Sequence, residues 1–345
     1  MSRPNSSRYN QSGVRYLTLL CVLCPAAMAQ PAPAVFALPG SPAPHLPSTA
    51  APAPAPTRTV PADSRRNGLL WRIRSATNTM YLVAILSHPS PELYPLPKHI
   101  DDALRASSTL LVEADLASMD RSTVVASAAE GIYPTTDSLW NHFSPETSKV
   151  IAAFCAAHER MCAAHDLAPQ ALGKWQPWMA ALLTLNVPDL LAGTPVDSEM
   201  DRYFQSRARG RLRIREIDPL HDQLARVKQV PASALEESIV AIFRDADRAA
   251  ELKSREVDQL QPLWLNGDME EAEALVSRRM EESSPFEKRV LLEGQAHLAG
   301  AMTQWMHGSD RCFAAIDLDW IVGAEGVLRR LQQAGFQVQQ ILAPR

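Results

Sequence analysis

Strand-like patterns at the two ends of residues 67–345, with a long helical stretch between them, constrain the fold most. Leu69 to Arg74 alternates apolar and basic residues, which is typical of a half-exposed strand. The other predicted strands are mainly apolar and comprise Met80 to Leu86, Thr109 to Ala114, Arg311 to Ile316 and Phe336 to Leu342. We therefore expect an α/β fold in which strands from both ends of the chain share one mixed sheet.

The middle of the chain has helical periodicity, which predicts a large helical insertion between these strands. Helical segments are expected from about Asp120 to Tyr203, Ala232 to Leu260 and Phe286 to Met306, with a further strand from Arg211 to Glu216. The last two predicted strands enclose a helix from Ala324 to Ala334. That connection is long enough for the two strands to form a parallel pair.

The start of the chain indicates export. A basic, polar stretch ends at Arg15, an apolar segment from Tyr16 to Cys24 follows, and Ala27-Met28-Ala29 resembles a signal-peptidase site. The next residues are mostly Pro and Ala, with ten Pro between positions 30 and 62, a composition that favours an extended spacer. We predict a signal peptide at residues 1–29, a linker at 30–66 and one folded domain at 67–345.

Charge and hydropathy argue against two classes of protein. The formal net charge is −4, and no basic excess follows the predicted signal, so nucleic-acid binding is not expected. No apolar run reaches the roughly 18–20 residues of a membrane-spanning helix. We therefore expect no transmembrane helix once the signal is removed.

The cysteines limit the possible disulfides, because only Cys155, Cys162 and Cys312 follow the predicted signal. Cys155 and Cys162 fall in a predicted helix, where seven residues of rise would separate them by roughly 10 Å, beyond disulfide reach. Any disulfide is therefore expected to join Cys312 to Cys155 or to Cys162. The sequence leaves open whether either bond forms.

Seven short motifs follow one another along the predicted domain, namely Tyr81–Ser87, Leu93–Pro97, Leu111–Asp115, Pro177–Leu183, Val196–Met200, Trp264–Asp268 and Val322–Leu328. Their order and spacing resemble the TraB/GumN family, which shares its fold and proposed active site with the Tiki metalloproteases. The resemblance implies a TraB/GumN-like, Tiki-type α/β domain over about residues 68–342. It also suits a periplasmic or secreted protein of a Gram-negative bacterium.

The resemblance further implies a hydrolytic site, which this chain matches poorly. The family's chemistry is thought to rest on two Gly-x-x-His motifs and a Glu at strand ends, which would hold a divalent metal for peptide hydrolysis. Here the motifs fall on Ala84 to Ser87 and on Asp317 to Trp320, so Ser87 and Trp320 replace both His. The strand-end Glu is kept as Glu113, and a further family acid corresponds to Asp218.

A third family feature, an Arg-Asn pair, falls near Gly294-Gln295 and is also lost. A Trp indole has no lone pair for a metal, and a neutral Ser hydroxyl is a poor substitute for imidazole. These replacements predict a catalytically inactive envelope protein without a cofactor, acting as a binding or scaffold protein for a peptide or another envelope component. The Pro/Ala-rich segment would mount it on a stalk.

The alternative is a working metal-dependent peptidase with a rearranged site. His88 lies one residue beyond the first motif, and the proline that follows it could turn its ring towards Glu113. Asp317 and Asp319 flank the other lost His. In this alternative His88, Glu113, Asp317 and Asp319 hold Mn or Zn, and the candidate catalytic residues are Glu113, His88 and Asp218.

Overall fold

The computed structural model describes residues 66–115, 118, 121–193 and 199–344 of the chain. The strands in this part of the chain are β1 (Leu70–Arg74), β2 (Thr79–Ile85), β3 (Thr109–Val112), β4 (Arg213–Glu216), β5 (Cys312–Asp317) and β6 (Gln337–Gln340). They form one sheet in the order β4-β3-β5-β2-β1-β6.

Strands from both ends of the chain are interleaved in this sheet. The C-terminal strand β5 lies between β2 and β3 and runs parallel to both, and β4 extends the parallel part. β1 and β6 add antiparallel pairs at the other edge. The predicted mixed sheet is therefore confirmed. The expected pairing of the last two strands is wrong, because both sides of β5 are already taken and β6 pairs with β1 instead.

Besides loops and two short 3-10 helices (Pro91–Leu93 and Leu139–Asn141), the rest of the described chain forms α-helices. They are α1 (Lys98–Arg105), α2 (Arg121–Ala129), α3 (Pro145–Ala157), α4 (Glu159–Ala164), α5 (Pro169–Leu172), α6 (Pro177–Thr184), α7 (Val187–Ala192), α8 (Glu199–Ala208), α9 (Leu220–Lys228), α10 (Ala232–Asn266), α11 (Met269–Glu282), α12 (Pro285–His307), α13 (Leu318–Ile321) and α14 (Val327–Gln333).

The predicted helical region from Asp120 to Tyr203 consists of several short helices. Pro145, Pro169 and Pro177 each stand in the first turn of a new helix. Proline is tolerated there because the first amides have no partner within the helix, but it interrupts a helix that is already running. The prolines therefore divide this region into segments that can pack at different angles.

The long helix α10 joins the helical layer to the sheet. Its apolar stripe includes Leu235, Ile239 and Ile242, which are all buried, as their spacing predicts. The helix packs against α3, α6 and α7. Near its C-terminal end, Trp264 Nε1 donates a hydrogen bond of 2.8 Å to the carbonyl oxygen of Ala84. This bond fixes the end of α10 to β2, close to the first motif position.

A disulfide joins Cys155 to Cys162, with their Cα atoms 5.6 Å apart, while Cys312 is free and buried. The expected pairing with Cys312 is therefore wrong. The expected separation of roughly 10 Å assumed an unbroken helix. Instead α3 ends at Ala157 and α4 begins at Glu159, and the turn between them brings the two sulfur atoms together.

Some of the sequence-based predictions fall outside the described residues. These are the signal peptide at 1–29, nearly all of the linker at 30–66, and positions 196–198 of one motif. Among the helices described above, none is long and apolar enough to cross a membrane.

Candidate functional site

The motif positions meet at one edge of the sheet. In the strand register Ile85 of β2 lies opposite Asp317 of β5, and Val112 of β3 lies opposite Ala315. Because these three strands are parallel, Ser87, Glu113 and Asp317 all lie where the strands end. The carboxyl edge of parallel strands is the usual place for a ligand site in α/β proteins.

The Glu113 carboxylate at this edge binds groups of the protein itself. Its Oε2 accepts a hydrogen bond of 3.0 Å from Trp320 Nε1, and its Oε1 accepts one of 2.8 Å from the backbone N–H of Asp317. The Trp320 side chain is buried, with 3% of the residue exposed. The indole thus satisfies one of the two oxygens that a metal would otherwise use.

Ser87 and Asp317 form a second link between strand ends. Ser87 Oγ donates a hydrogen bond of 2.9 Å to Asp317 Oδ2. The other carboxylate oxygen of Asp317 accepts from the backbone N–H of Asp319 at 2.9 Å and caps α13. Together with the bonds of Glu113, these contacts connect the ends of β2, β3 and β5 directly.

Helix α12 is shaped to accept the Trp320 ring. A Cβ atom added at Gly294 would lie only 2.4 Å from Cζ3 of Trp320, which no ordinary contact allows. One residue further on, Gln295 Nε2 donates hydrogen bonds of 3.1 Å to the carbonyl oxygens of Asp319 and Val322, on either side of that tryptophan. Gly294 and Gln295, at the position where the family resemblance implies an Arg-Asn pair, therefore accommodate the Trp320 ring.

His88 lies beside Asp189 of the helical layer. Its Nε2 lies 3.5 Å from Asp189 Oδ1, and 7% of its side chain is exposed. It lines a small cleft of about 30 Å³ together with Ser87, Asp317 and Asp319, but Glu113 does not line this cleft. The structure thus brings three of the four alternative metal ligands to one cleft, whereas Glu113 lies outside its lining.

A family model for the TraB/PrgY/gumN family matches residues 69–340 of this chain. The chain belongs to the TraB/PrgY/gumN family. No curated protein and no solved structure matches it. The match spans almost all of the described residues, so the sheet and the edge that carries Glu113 and Trp320 belong to the family domain.

The same cleft of this TraB/PrgY/gumN domain contains buried ion pairs that the sequence analysis missed. Arg279 of α11 pairs with Glu256 of α10 and with Asp319, and Lys253 Nζ lies 3.8 Å from Asp189 Oδ1. Such charges are stable in a protein interior only when they are paired. Lys253 continues the spacing of the buried stripe of α10, which could have identified it as a buried residue from the sequence.

Burial and neighbouring charges shift the pKa values of this network in opposite directions. Burial raises the pKa of Asp189, and the charge of Lys253 offsets part of that effect. For Arg279, burial alone would lower the pKa, but the carboxylates of Asp319 and Glu256 raise it above its ordinary value. Arg279 is therefore held as a cation between two carboxylates at the wall of the cleft.

The backbone of Asp218 contacts Glu113, but its side chain belongs to a separate cluster with Arg226 and His297. Its backbone N–H donates to the carbonyl oxygen of Glu113 at 2.9 Å, and its Oδ2 accepts from Arg226 at 2.6 Å. His297 Nε2 lies 3.5 Å from its other oxygen. Burial raises the pKa of Asp218, which the hydrogen bond from Arg226 opposes. His297 was also missed, although it lies one helical turn beyond Gly294.

The donors of the TraB/PrgY/gumN site do not fit the metal that the family resemblance implies. Glu113 binds Trp320, Asp317 binds Ser87, and Asp319 pairs with Arg279. Within the described ranges, no three or more His, Cys, Asp or Glu side chains are grouped so that they could hold an ion. The set of His88, Glu113, Asp317 and Asp319 stays a prediction, and it would require these side chains to exchange their present partners.

Proposed function

We propose that this member of the TraB/PrgY/gumN family is an exported protein that does not hydrolyse peptides and acts in the cell envelope by binding. One observation carries the proposal: the indole of Trp320 donates to Glu113 at 3.0 Å where the family resemblance expects a metal-binding His. An indole N–H is only a donor, so it can satisfy a carboxylate but cannot coordinate a metal.

The remaining contacts at the strand ends support the same reading. Ser87 replaces the other His and donates its proton to Asp317 at 2.9 Å. Gly294 leaves room for the Trp320 ring, because any Cβ at that position would overlap it. Hydrogen bonds within the protein therefore perform the cross-linking that a bound ion would provide between the strand ends.

Two features support export. The first 29 residues have the basic, apolar and small-residue order of a signal peptide. The bond between Cys155 and Cys162 suits an oxidising compartment, because disulfides are rare in reducing cytosol. The Pro/Ala-rich residues 30–66 would then serve as a spacer between the domain and its point of attachment.

The cleft beside the strand ends is the proposed binding surface. It is small, with a volume of about 30 Å³, and combines apolar walls, such as Leu260 and Leu318, with the charged side chains of Lys253, Glu256 and Asp319. A cleft of this size accepts only a small polar group, such as part of one side chain of a peptide that lies across its mouth. A peptide or another envelope component is therefore the ligand class that we propose.

Metal analysis of the purified protein tests the proposal that the protein does not hydrolyse peptides. The protein is incubated with Mn or Zn, desalted, and compared with His88→Ala, Glu113→Ala and the control His221→Ala, whose side chain is 80% exposed. We expect no stoichiometric metal in any of the four proteins and no hydrolysis of casein. Stoichiometric metal that is lost in His88→Ala or Glu113→Ala, but kept in His221→Ala, would overturn the proposal.

A metal-dependent peptidase is the second candidate, because His88, Asp317 and Asp319 do line one cleft. In that case an ion would have to displace Arg279 from Asp319 and Ser87 from Asp317. Casein hydrolysis that depends on added Mn or Zn, and that His88→Ala abolishes, would establish this function.

A further inference from the structure

The break between α3 and α4 is not explained by the local sequence. Residues 146–165 contain neither Gly nor Pro, and they include three Ala-Ala pairs. Alanine is the best helix former and no helix-breaking residue is present, so an unbroken helix is the locally favoured conformation. The backbone nevertheless leaves the helix at His158, where φ is −123° and ψ is 44°.

The disulfide supplies a reason for the break. In an unbroken helix, Cys155 and Cys162 would be separated by roughly 10 Å along the axis. Their Cα atoms are 5.6 Å apart in the structure, within the range that a disulfide needs. The bond can therefore form only if the helix bends between the two cysteines, and the bend lies midway between them.

The bend leaves backbone groups without helical partners. No side chain caps the start of α4, and its first three N–H groups have no acceptor within the helix. In an unbroken helix these amides, at Glu159, Arg160 and Met161, would bond to carbonyls at the end of α3. Straightening the segment would therefore add about three backbone hydrogen bonds.

Side-chain contacts within the segment and with α10 act in the opposite direction and favour the bent form. The rings of Phe154 and His158 lie 4.5 Å apart, and Phe154 also packs edge-on against Phe243 at 5.0 Å. His158 Nε2 lies 3.4 Å from Asp247 Oδ1. The ion pair is partly exposed, since 77% of the Asp247 side chain is accessible to solvent, and an exposed pair contributes little to stability. Phe154 and Cys162 are buried, so the packing of these two residues is the main contact that opposes straightening once the cysteines separate.

We propose that the bond between Cys155 and Cys162 is a redox-sensitive conformational device that bends the α3–α4 segment when oxidised and lets it straighten when reduced. A dithiol reductant gives up two electrons and two protons. The S–S bond breaks, both cysteines become thiols, and the dithiol closes to its own disulfide. Released from the cross-link, residues 145–164 then join into one helix.

Hydrogen exchange with and without dithiothreitol tests this device on the full-length protein. On reduction, the peptide that contains residues 159–161 should lose about three fast-exchanging amides, because these groups become bonded within the helix. Cys312→Ser is the matched control, since Cys312 is buried and outside the disulfide. It should show the same redox-dependent change as the wild type.

A double variant, Cys155→Ser with Cys162→Ser, separates the effect of the bond from that of the reductant. In this variant the amides of residues 159–161 should exchange slowly even in the absence of any reductant. The proposal is overturned if residues 159–161 exchange equally fast in the oxidised, reduced and double-serine proteins, because packing alone would then maintain the bend. It is also overturned if reduction exposes the whole domain to exchange, since the bond would then stabilise the global fold.

Discussion

Replacing Gly294 by Ala should destabilise the protein, although the same change in an open helix position would stabilise it. Gly294 lies inside α12, where Ala is favoured over Gly by about 1 kcal/mol through helix propensity. Against this, the new Cβ would lie 2.4 Å from Cζ3 and 2.8 Å from Cη2 of Trp320. The sign of the measured effect shows which of the two contributions dominates.

The Trp320 ring has little freedom to move out of the way. It is 3% exposed, and its Nε1 is fixed by the hydrogen bond to Glu113. Overpacking of this kind costs about 1–3 kcal/mol, and losing a hydrogen bond to a charged group costs about 1.5–3 kcal/mol. After subtraction of the helix-propensity gain, we expect the free energy of unfolding of Gly294→Ala to fall by about 1.5–5 kcal/mol.

Gly300 provides a matched control in the same helix. A Cβ at Gly300 would have no neighbour within 4 Å, so Gly300→Ala should raise the free energy of unfolding by about 1 kcal/mol. In a Trp320→Ala background the ring is absent, and Gly294→Ala should then become stabilising by a similar amount. Trp320→Ala itself should cost about 3–5 kcal/mol through cavity formation.

Urea unfolding followed by far-UV circular dichroism measures all five proteins, because the signal does not depend on the deleted tryptophan. The four members of the Gly294 and Trp320 cycle give a coupling free energy, which we expect to be about 2 kcal/mol or more. If Gly294→Ala is as stabilising as Gly300→Ala, the close contact between helix and ring is not present in solution. The argument that Gly294 accommodates Trp320 would then fail.

Three further predictions concern hydrogen bonds and charges. Trp320→Phe keeps most of the ring but removes the donor to Glu113, and should lower the free energy of unfolding by about 1.5–3 kcal/mol in the same urea assay. Arg279→Met leaves two buried carboxylates unpaired and should cost about 3–5 kcal/mol, whereas Arg278→Met, at an exposed neighbouring position, should change little. Hydrogen bonds from the side chains of His142 and Asn141 lower the pKa of Asp137 from 3.8 to about 2. The ionised Asp137 therefore stabilises the fold at pH values above its ordinary pKa of 3.8, and this stabilisation is lost as the pH falls towards about 2. In a series of urea midpoints measured at different pH values, Asp137→Asn should lack this pH-dependent part of the stability.

The arrangement of the strand ends could be predicted from the sequence. Ser87, Glu113 and Asp317 each follow a short apolar run, and parallel strands bring their carboxyl ends to one edge. Strand alternation also predicts that His88, one residue beyond the motif, faces away from Glu113. In the structure His88 lies beside Asp189.

The partners across the helical layer could not be predicted in this way. Arg279 and Glu256 are 23 positions apart in the sequence, and their pairing depends on how α10 and α11 pack. The bend at His158 is a similar case, since the local sequence favours an unbroken helix and only the disulfide reveals the turn. Both features depend on contacts between elements, which periodicity and propensity within one element do not contain.

The replacements at the strand ends depend on one another. Without Trp320 and Ser87, the partly buried carboxylate of Glu113 and the buried carboxylate of Asp317 would each lose one hydrogen-bond donor, at a cost of about 1.5–3 kcal/mol each. Trp320 supplies a donor to the first and Ser87 supplies one to the second. The ring of Trp320 in turn requires that position 294 have no side chain. These bonds link the ends of β2, β3 and β5 through groups of the protein itself, and this mutual dependence is the structural basis of the binding function that we propose.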